Sequence, residues 1–202
     1  MTLSSFRNIA ERMMQPLVAG AVRVGVTPNA ISFVALVMAA GAGVSFGLAS
    51  EQQLLYLLGA ALVITNGILD LLDGGLAREL GVESDAGDMF DHVFDRYADI
   101  FVIAGLATSI AEYALGFAAI TGVLMTSYLG TQAEAVGLDR VYGGLLGRAD
   151  RLALVTIVAI AAAFIEQKLY GLPIVGWLLV VFAVVGHLTA LQRFYYAMRA
   201  LR

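Results

Sequence analysis

Long apolar stretches alternate with short polar segments along most of the chain. Each stretch approaches or exceeds the roughly 20 residues that a helix needs to cross a bilayer. There are six of them, over residues 29–49, 53–79, 87–110, 113–136, 149–166 and 172–195. The pattern therefore predicts an all-α integral membrane protein with six transmembrane helices, and an even number of spans leaves both termini on one side of the membrane.

The first 25 residues follow another pattern. Apolar residues recur there at helical spacing, and charges are spread between them, at Arg7, Glu11, Arg12 and Arg23. Because this segment lacks a continuous apolar core, it does not resemble a signal peptide. It predicts an amphipathic helix that lies at the membrane interface and is bent at Pro16.

Composition agrees with a membrane protein. The chain is 60% hydrophobic and 14% charged, whereas soluble domains have about 25% charged residues. The spans leave no room for a separate soluble domain, so we expect one domain over 1–202, with an interfacial helix over 1–25 and a bundle over 29–195. The absence of cysteine excludes disulfides and thiolate metal sites.

The distribution of basic residues predicts the orientation. Of twelve basic residues, eleven are arginines, and all eleven fall at the termini or at the loops on the same predicted side. The opposite loops hold Lys168 together with Glu51, Glu112 and Glu166. By the positive-inside rule, the arginine-rich side and both termini face the cytoplasm. We expect a multi-pass protein of the plasma membrane.

Carboxylates gather where the second and third spans end on that side. Asp70 and Asp73 share one helix face, and Asp91 and Asp95 share another. Because an unpaired charge in an apolar segment costs roughly 2.5–3.5 kcal/mol, these residues are candidates for a functional site. Oxygen-only ligands suit Mg²⁺ or Mn²⁺, and two such cations would balance four carboxylates.

The neighbouring residues point to a phosphate ligand. Gly74 costs a helix interior about 1 kcal/mol relative to alanine, but it leaves space for a ligand beside the backbone. Arg78, one turn further, offers five donors to phosphate oxygens, and Gly87 opens the third span nearby. Cations, glycine clearance and an arginine together indicate a bound diphosphate.

Eight positions of this stretch resemble the complete signature of the CDP-alcohol phosphotransferase (phosphatidyltransferase) family. They read Asp70-x2-Asp73-Gly74-x2-Ala77-Arg78-x8-Gly87-x3-Asp91-x3-Asp95. The segments VGVTPNAIS and SYLGTQAEAVGL are similar to segments of the phosphatidylinositol-phosphate and archaetidylinositol-phosphate synthase branch. The resemblance implies an interfacial helix, six spans and a homodimer.

The resemblance also implies the roles of the site residues. Two divalent cations, Mg²⁺ or Mn²⁺, would be held by Asp70, Asp73, Asp91 and Asp95, and Asp95 would also be the general base. The nucleotide would contact Asn29, Ser32, Gly74, Arg78 and Ser84. Such an enzyme moves a phosphatidyl- or archaetidyl-phosphate group from a CDP-linked lipid to the hydroxyl of a small polar acceptor and releases CMP.

The acceptor is best predicted as inositol phosphate. Three arginines on the cytoplasmic side are candidates to bind its phosphate, namely Arg140, Arg148 and Arg151; enforcing topology is their alternative role. Family members that use inositol phosphate carry basic residues where this chain has Gly130 and Gln132. Glycerol phosphate therefore stays open as an alternative acceptor.

Two other classes explain the acids less completely. A divalent-cation transporter would use the aspartates but leaves Gly74, Arg78 and Gly87 without a purpose. An aspartate-rich membrane prenyltransferase needs more spans and a different spacing of acids. Nothing in the sequence indicates a nucleic-acid partner.

Overall fold

The computed structural model describes residues 7–138 and 146–202, with side chains from residue 13 onward. Within these ranges the chain forms seven α-helices joined by short connections. They are α1 (Arg7–Val24), α2 (Pro28–Gly47), α3 (Leu55–Leu80), α4 (Asp85–Ser109), α5 (Tyr113–Ala135), α6 (Arg148–Ala162) and α7 (Ile174–Ala200). The described part of the chain contains no β-strand, so the all-α prediction is confirmed.

Four helices are long and apolar enough to cross a membrane, and they are α2, α3, α5 and α7. The fourth helix also has the length, but its first half carries the acidic residues. The 15 residues of α6 extend about 22 Å at 1.5 Å per residue, which is less than the roughly 30 Å hydrocarbon core. The protein is thus an all-helical membrane protein, and six spans stay a prediction.

The first helix packs against the third. Met14 and Val18 are buried, and Val18 joins Ile31 and Leu76 in a small apolar cluster. A Cβ added at Gly75 would lie 3.1 Å from a methyl group of Val18, so this glycine allows the two helices to approach. The position of α1 at a membrane interface stays a prediction.

Small residues bring the remaining helices together. The Gly43 carbonyl lies where a Cβ at Gly105 would be, so α2 and α4 touch through their backbones. Phe46 fills the space beside Gly59 in the same way and is fully buried. Close packing at these glycines thus occurs within one subunit, and both α3 and α4 pack against α2.

A tight connection joins α3 to α4. Gly81 ends α3 with a positive φ of 63°, and its N–H bonds back to the carbonyls of Ala77 and Arg78. The Ser84 side chain then caps α4 by accepting a hydrogen bond from the Gly87 N–H. Only a few residues separate the helices, so the acidic end of α3 lies next to the acidic start of α4.

Candidate active site

Three of the four predicted aspartate ligands meet between α3 and α4. Asp70, Asp91 and Asp95 each offer a carboxylate oxygen, and these oxygens lie within 4.8 Å of one another. Asp95 is buried, whereas the other two are partly exposed. A group of carboxylate oxygens without nitrogen or sulfur donors suits a hard divalent cation. These residues therefore fit Mg²⁺ or Mn²⁺.

Asp73 lies near these three carboxylates but is not a member of their group. Its Oδ2 accepts a hydrogen bond of 2.6 Å from Ser32 Oγ, and its Oδ1 accepts one of 2.6 Å from the Gly74 N–H. The residue is buried, and it ties α2 to α3. A cation-binding role of Asp73 stays a prediction.

A cavity of about 670 Å³ opens beside the carboxylates, a size typical of ligand pockets. It lies between the α1–α2 connection, the end of α3 and the start of α4. Asp70, Asp73 and Asp91 line it. So do all the predicted nucleotide contacts, which are Asn29, Ser32, Gly74, Arg78 and Ser84. Residues distant in sequence thus share one cavity.

Two glycines of this cavity are not required by packing. A Cβ at Gly74 would lie 3.5 Å from Arg78 Nη1, and one at Gly87 would lie 3.4 Å from Ser84 Oγ. Both are ordinary contact distances, in contrast to the close approach at Gly75. The missing side chains therefore widen the cavity, as expected where a ligand lies against the backbone.

Ser84 has a structural role that sequence analysis did not include. Its Oγ accepts the Gly87 N–H at 3.2 Å and caps the helix that carries Asp91 and Asp95. N-cap serines are favoured because they satisfy an amide that has no partner within the helix. A serine hydroxyl that accepts one hydrogen bond can also donate one, and Ser84 lines the cavity.

The arginines predicted to bind the acceptor contact acidic residues. Arg148 Nη1 lies 2.5 Å from Asp70 Oδ1, and its Nη2 lies 2.8 Å from Asp95 Oδ1. Arg151 pairs with Asp99 at 2.8 Å, and both side chains are buried. Arg140 lies outside the described residues. Binding of an acceptor by these arginines stays a prediction.

Further polar residues surround the site. Arg96 lies 3.6 Å from both Asp95 and Asp99 and donates to Ser127, so it joins α4 to α5. Sequence reasoning did not assign it, although a charge inside an apolar segment signals a buried pair. On α7, Arg193 donates to the Thr126 carbonyl at 2.7 Å.

The Arg193 guanidinium fills the space beside Gly130. A Cβ added at that glycine would lie 2.9 Å from Arg193 Nη1. At Gly130, a position where inositol-phosphate-using family members were expected to carry a basic residue on α5, the structure thus has a positive charge from α7. Only the tertiary structure shows that α7, and not α5, supplies the positive charge at this position.

The family profile described as CDP-alcohol phosphatidyltransferase matches residues 25–188, which include the carboxylates and nearly all residues that line the cavity. The chain belongs to this family. It is accordingly a membrane-bound transferase of phosphate groups that acts in phospholipid synthesis.

Two curated relatives match nearly the whole chain. Archaetidylinositol phosphate synthase of Methanothermobacter thermautotrophicus is 28% identical over 201 residues, which cover 99% of this chain and 96% of the relative. Phosphatidylinositol phosphate synthase of Cutibacterium acnes is 31% identical over 212 residues, with 98% of each chain covered.

Solved structures of phosphatidylinositol phosphate synthase from Mycobacterium tuberculosis share the fold. The one with CDP-DAG bound has a TM-score of 0.78 at 26% identity and covers 92% of this chain and 94% of its own. The one in complex with manganese and citrate has the same TM-score and identity, with coverage of 91% and 88%. The predicted family and the all-helical fold are therefore confirmed, whereas six spans and the interfacial helix stay predictions.

Proposed function

We propose that this protein is a synthase of phosphatidylinositol phosphate or its archaeal ether-lipid counterpart. It transfers the lipid phosphate group from a CDP-linked lipid to a hydroxyl of inositol phosphate and releases CMP. The observation that carries the proposal is the single cavity in which the carboxylates of Asp70, Asp73 and Asp91 meet the residues expected to bind a nucleotide.

Four aspartates are proposed to hold two divalent cations, Mg²⁺ or Mn²⁺. The close oxygens of Asp70, Asp91 and Asp95 support this assignment, and so does the manganese complex of the M. tuberculosis neighbour. When bound, the cations neutralise diphosphate oxygens and stabilise charge on the leaving CMP. Asp73, held by Ser32 and Gly74, completes the set from the cavity wall.

The nucleotide is proposed to occupy the large cavity. Arg78 supplies positive charge to the diphosphate, Gly74 leaves room for it, and the Ser84 hydroxyl donates a hydrogen bond to it. Asn29 and Ser32, at the start of α2, line the same cavity. The neighbour with CDP-DAG bound supports a CDP-linked lipid as donor.

Asp95 is proposed to act as general base. Its carboxylate takes the proton from the acceptor hydroxyl, whose oxygen bonds to the lipid-side phosphorus as the bond to the CMP oxygen breaks. Arg96, at 3.6 Å, orients this carboxylate. Positioning and electrostatics supply most of the rate enhancement.

The acceptor phosphate is proposed to bind beside the start of α6. Arg148 and Arg151 lie one helical turn apart there, Arg193 adds a charge from α7, and Arg140 is the remaining predicted contact. The names of the relatives favour inositol phosphate over glycerol phosphate.

We further propose a single domain over 1–202 with α1 lying at the membrane interface and six helices, α2 to α7, crossing the plasma membrane. Both termini and the active site face the cytoplasm, and the protein is a homodimer. The arginine distribution supports the orientation, and the packing of α4 and α6 with the four apolar helices in one core supports six spans. The homodimer rests on the family resemblance.

A reconstituted assay tests the proposal. Purified protein in vesicles that contain CDP-diacylglycerol or its archaeal ether analogue should release CMP when inositol phosphate and Mg²⁺ or Mn²⁺ are present. Chelation with EDTA should abolish release, and parallel reactions with glycerol phosphate or free inositol should stay near background.

Two results would contradict it. Release of CMP with glycerol phosphate and not with inositol phosphate would exclude the proposed acceptor. Cation flux into vesicles without a lipid substrate, together with no CMP release from any acceptor, would instead favour transport.

A further inference from the structure

Arg148 bridges two of the carboxylates that are proposed to hold cations. Its guanidinium reaches Asp70 on α3 at 2.5 Å and Asp95 on α4 at 2.8 Å. The side chain is 17% exposed, and its Nε is buried without a hydrogen-bond partner in the described part of the protein. Within residues 7–138 and 146–202, both ion pairs of Arg148 are with members of the carboxylate group.

A guanidinium and a divalent cation can each neutralise this group of carboxylates, so they compete for it. Carboxylates within 4.8 Å of one another repel unless positive charge lies between them. Arg148 supplies one such charge, and a divalent cation at the same carboxylates would supply two. Both cannot lie there without strong mutual repulsion in a partly buried site.

We propose that Arg148 is a built-in counterion of the carboxylate cluster, which divalent cations displace when they bind. This inference rests on the proposed metal role of Asp70, Asp91 and Asp95. Breaking the Arg148 ion pairs costs free energy, and this cost weakens the apparent binding of cations to the site.

The start of α6 is built so that the side chain can move while the backbone stays in place. Gly147 caps the helix, and its N–H donates to Asp150 Oδ2 at 2.9 Å. A capped first turn holds the Arg148 Cα in position. The long arginine side chain can therefore leave the carboxylates by rotation alone and remain beside the substrate cavity.

Arg151 provides a matched control on the same helix. It lies one turn beyond Arg148, is buried where Arg148 is partly exposed, and carries the same charge. Its partner is Asp99, at 2.8 Å, which lies outside the group of close carboxylates. Replacing Arg151 thus removes an equal charge without vacating the cluster.

The test is Mn²⁺ binding by the purified full-length protein in detergent without substrate, measured from the electron paramagnetic resonance signal of free Mn²⁺. Arg148→Gln should bind Mn²⁺ at least about tenfold more tightly than wild type. Arg148→Lys should fall between them, because one ammonium cannot bridge two carboxylates as a planar fork does. Arg151→Gln should stay within about twofold of wild type, since its partner Asp99 is not one of the close carboxylates.

Unchanged or weaker Mn²⁺ binding in Arg148→Gln would overturn the inference, because Arg148 would then organise the carboxylates rather than compete for them. Equal Mn²⁺ binding by wild type and Asp91→Asn would instead overturn the proposed metal site itself.

A second measurement needs no variant at Arg148. Phenylglyoxal modification of wild type, mapped by mass spectrometry, should label Arg148 several times faster when Mn²⁺ is saturating, while Arg151 labelling stays constant. Equal labelling of Arg148 with and without Mn²⁺ would overturn the inference even if Arg148→Gln fails to fold.

Discussion

At the residue scale, two aspartates on the same helix have different roles because they lie in different surroundings. Asp85 and Asp91 lie six residues apart on α4. Asp85 is exposed in the first helical turn, where a negative charge interacts favourably with the helix dipole. Asp91 instead shares the carboxylate group with Asp70 and Asp95. The two residues therefore form a natural pair for separating site chemistry from helix electrostatics.

We predict that Asp91→Asn lowers CMP release by at least about 100-fold, because a neutral amide replaces an anionic cation ligand. Its side chain is 40% exposed, so the substitution should leave folding intact. The matched Asp85→Asn variant should keep its rate within about twofold of wild type, since a helix-dipole contact is worth only a few tenths of a kcal/mol to stability. Initial rates in the vesicle assay measure both, and equal loss in the two variants would contradict the assignment of Asp91.

At the element scale, glycines decide how closely helices approach and so where the site residues meet. Gly105 on α4 lies directly against the Gly43 carbonyl of α2, whereas a Cβ added at Gly20 on α1 would have nothing within 4 Å. The same residue type thus has opposite meanings on two helices. Backbone contact at Gly105 holds α4 in the position from which Asp91 and Asp95 reach α3.

We predict that Gly105→Ala destabilises the protein by about 1–3 kcal/mol, because the new methyl group would overlap backbone that has no side chain to rotate away. Gly20→Ala should be neutral or stabilise α1 by up to about 1 kcal/mol, since alanine has the higher helix propensity. Thermal unfolding in detergent measures both variants. A Gly105→Ala variant as stable as wild type would show that α2 and α4 can separate at little cost.

At the scale of the whole molecule, the number of spans decides which side of the membrane each loop faces. If α2 to α7 all cross, the α4–α5 connection at Glu112 faces the outside. If only the four apolar helices cross, Glu112 faces the cytoplasm. Glu83 faces the cytoplasm and Gln167 the outside under both arrangements. The chain has no cysteine, so single introduced cysteines report each position without background.

We predict that a membrane-impermeant maleimide labels the Glu112→Cys and Gln167→Cys variants in right-side-out vesicles. The Glu83→Cys variant should react only after permeabilisation, because its loop lies on the arginine-rich side. Labelling is read by a mass shift of the purified protein. Protection of the Glu112→Cys variant would contradict six spans, and exchange of the Glu83 and Gln167 results would contradict the orientation.

The sequence by itself determined the helical membrane class, the family and the pairs of acids. Apolar stretches of spanning length are local properties of the chain, and the spacing of Asp70, Asp73, Asp91 and Asp95 follows helical periodicity. The cavity-lining role of Gly74 could also be predicted from the sequence. Glycine is unfavourable in a helix interior, so its presence beside Asp73 indicates that a ligand occupies the space.

The tertiary structure alone decided which charges pair and which glycines serve packing. Arg148 meets Asp70 and Asp95 across two sequence-distant helices, Arg193 fills the space at Gly130, and Gly75 accommodates α1. Such contacts depend on the crossing of helices in three dimensions, which neither spacing along one helix nor composition encodes. Local periodicity therefore predicted what each helix offers, and only packing decided what each side chain meets.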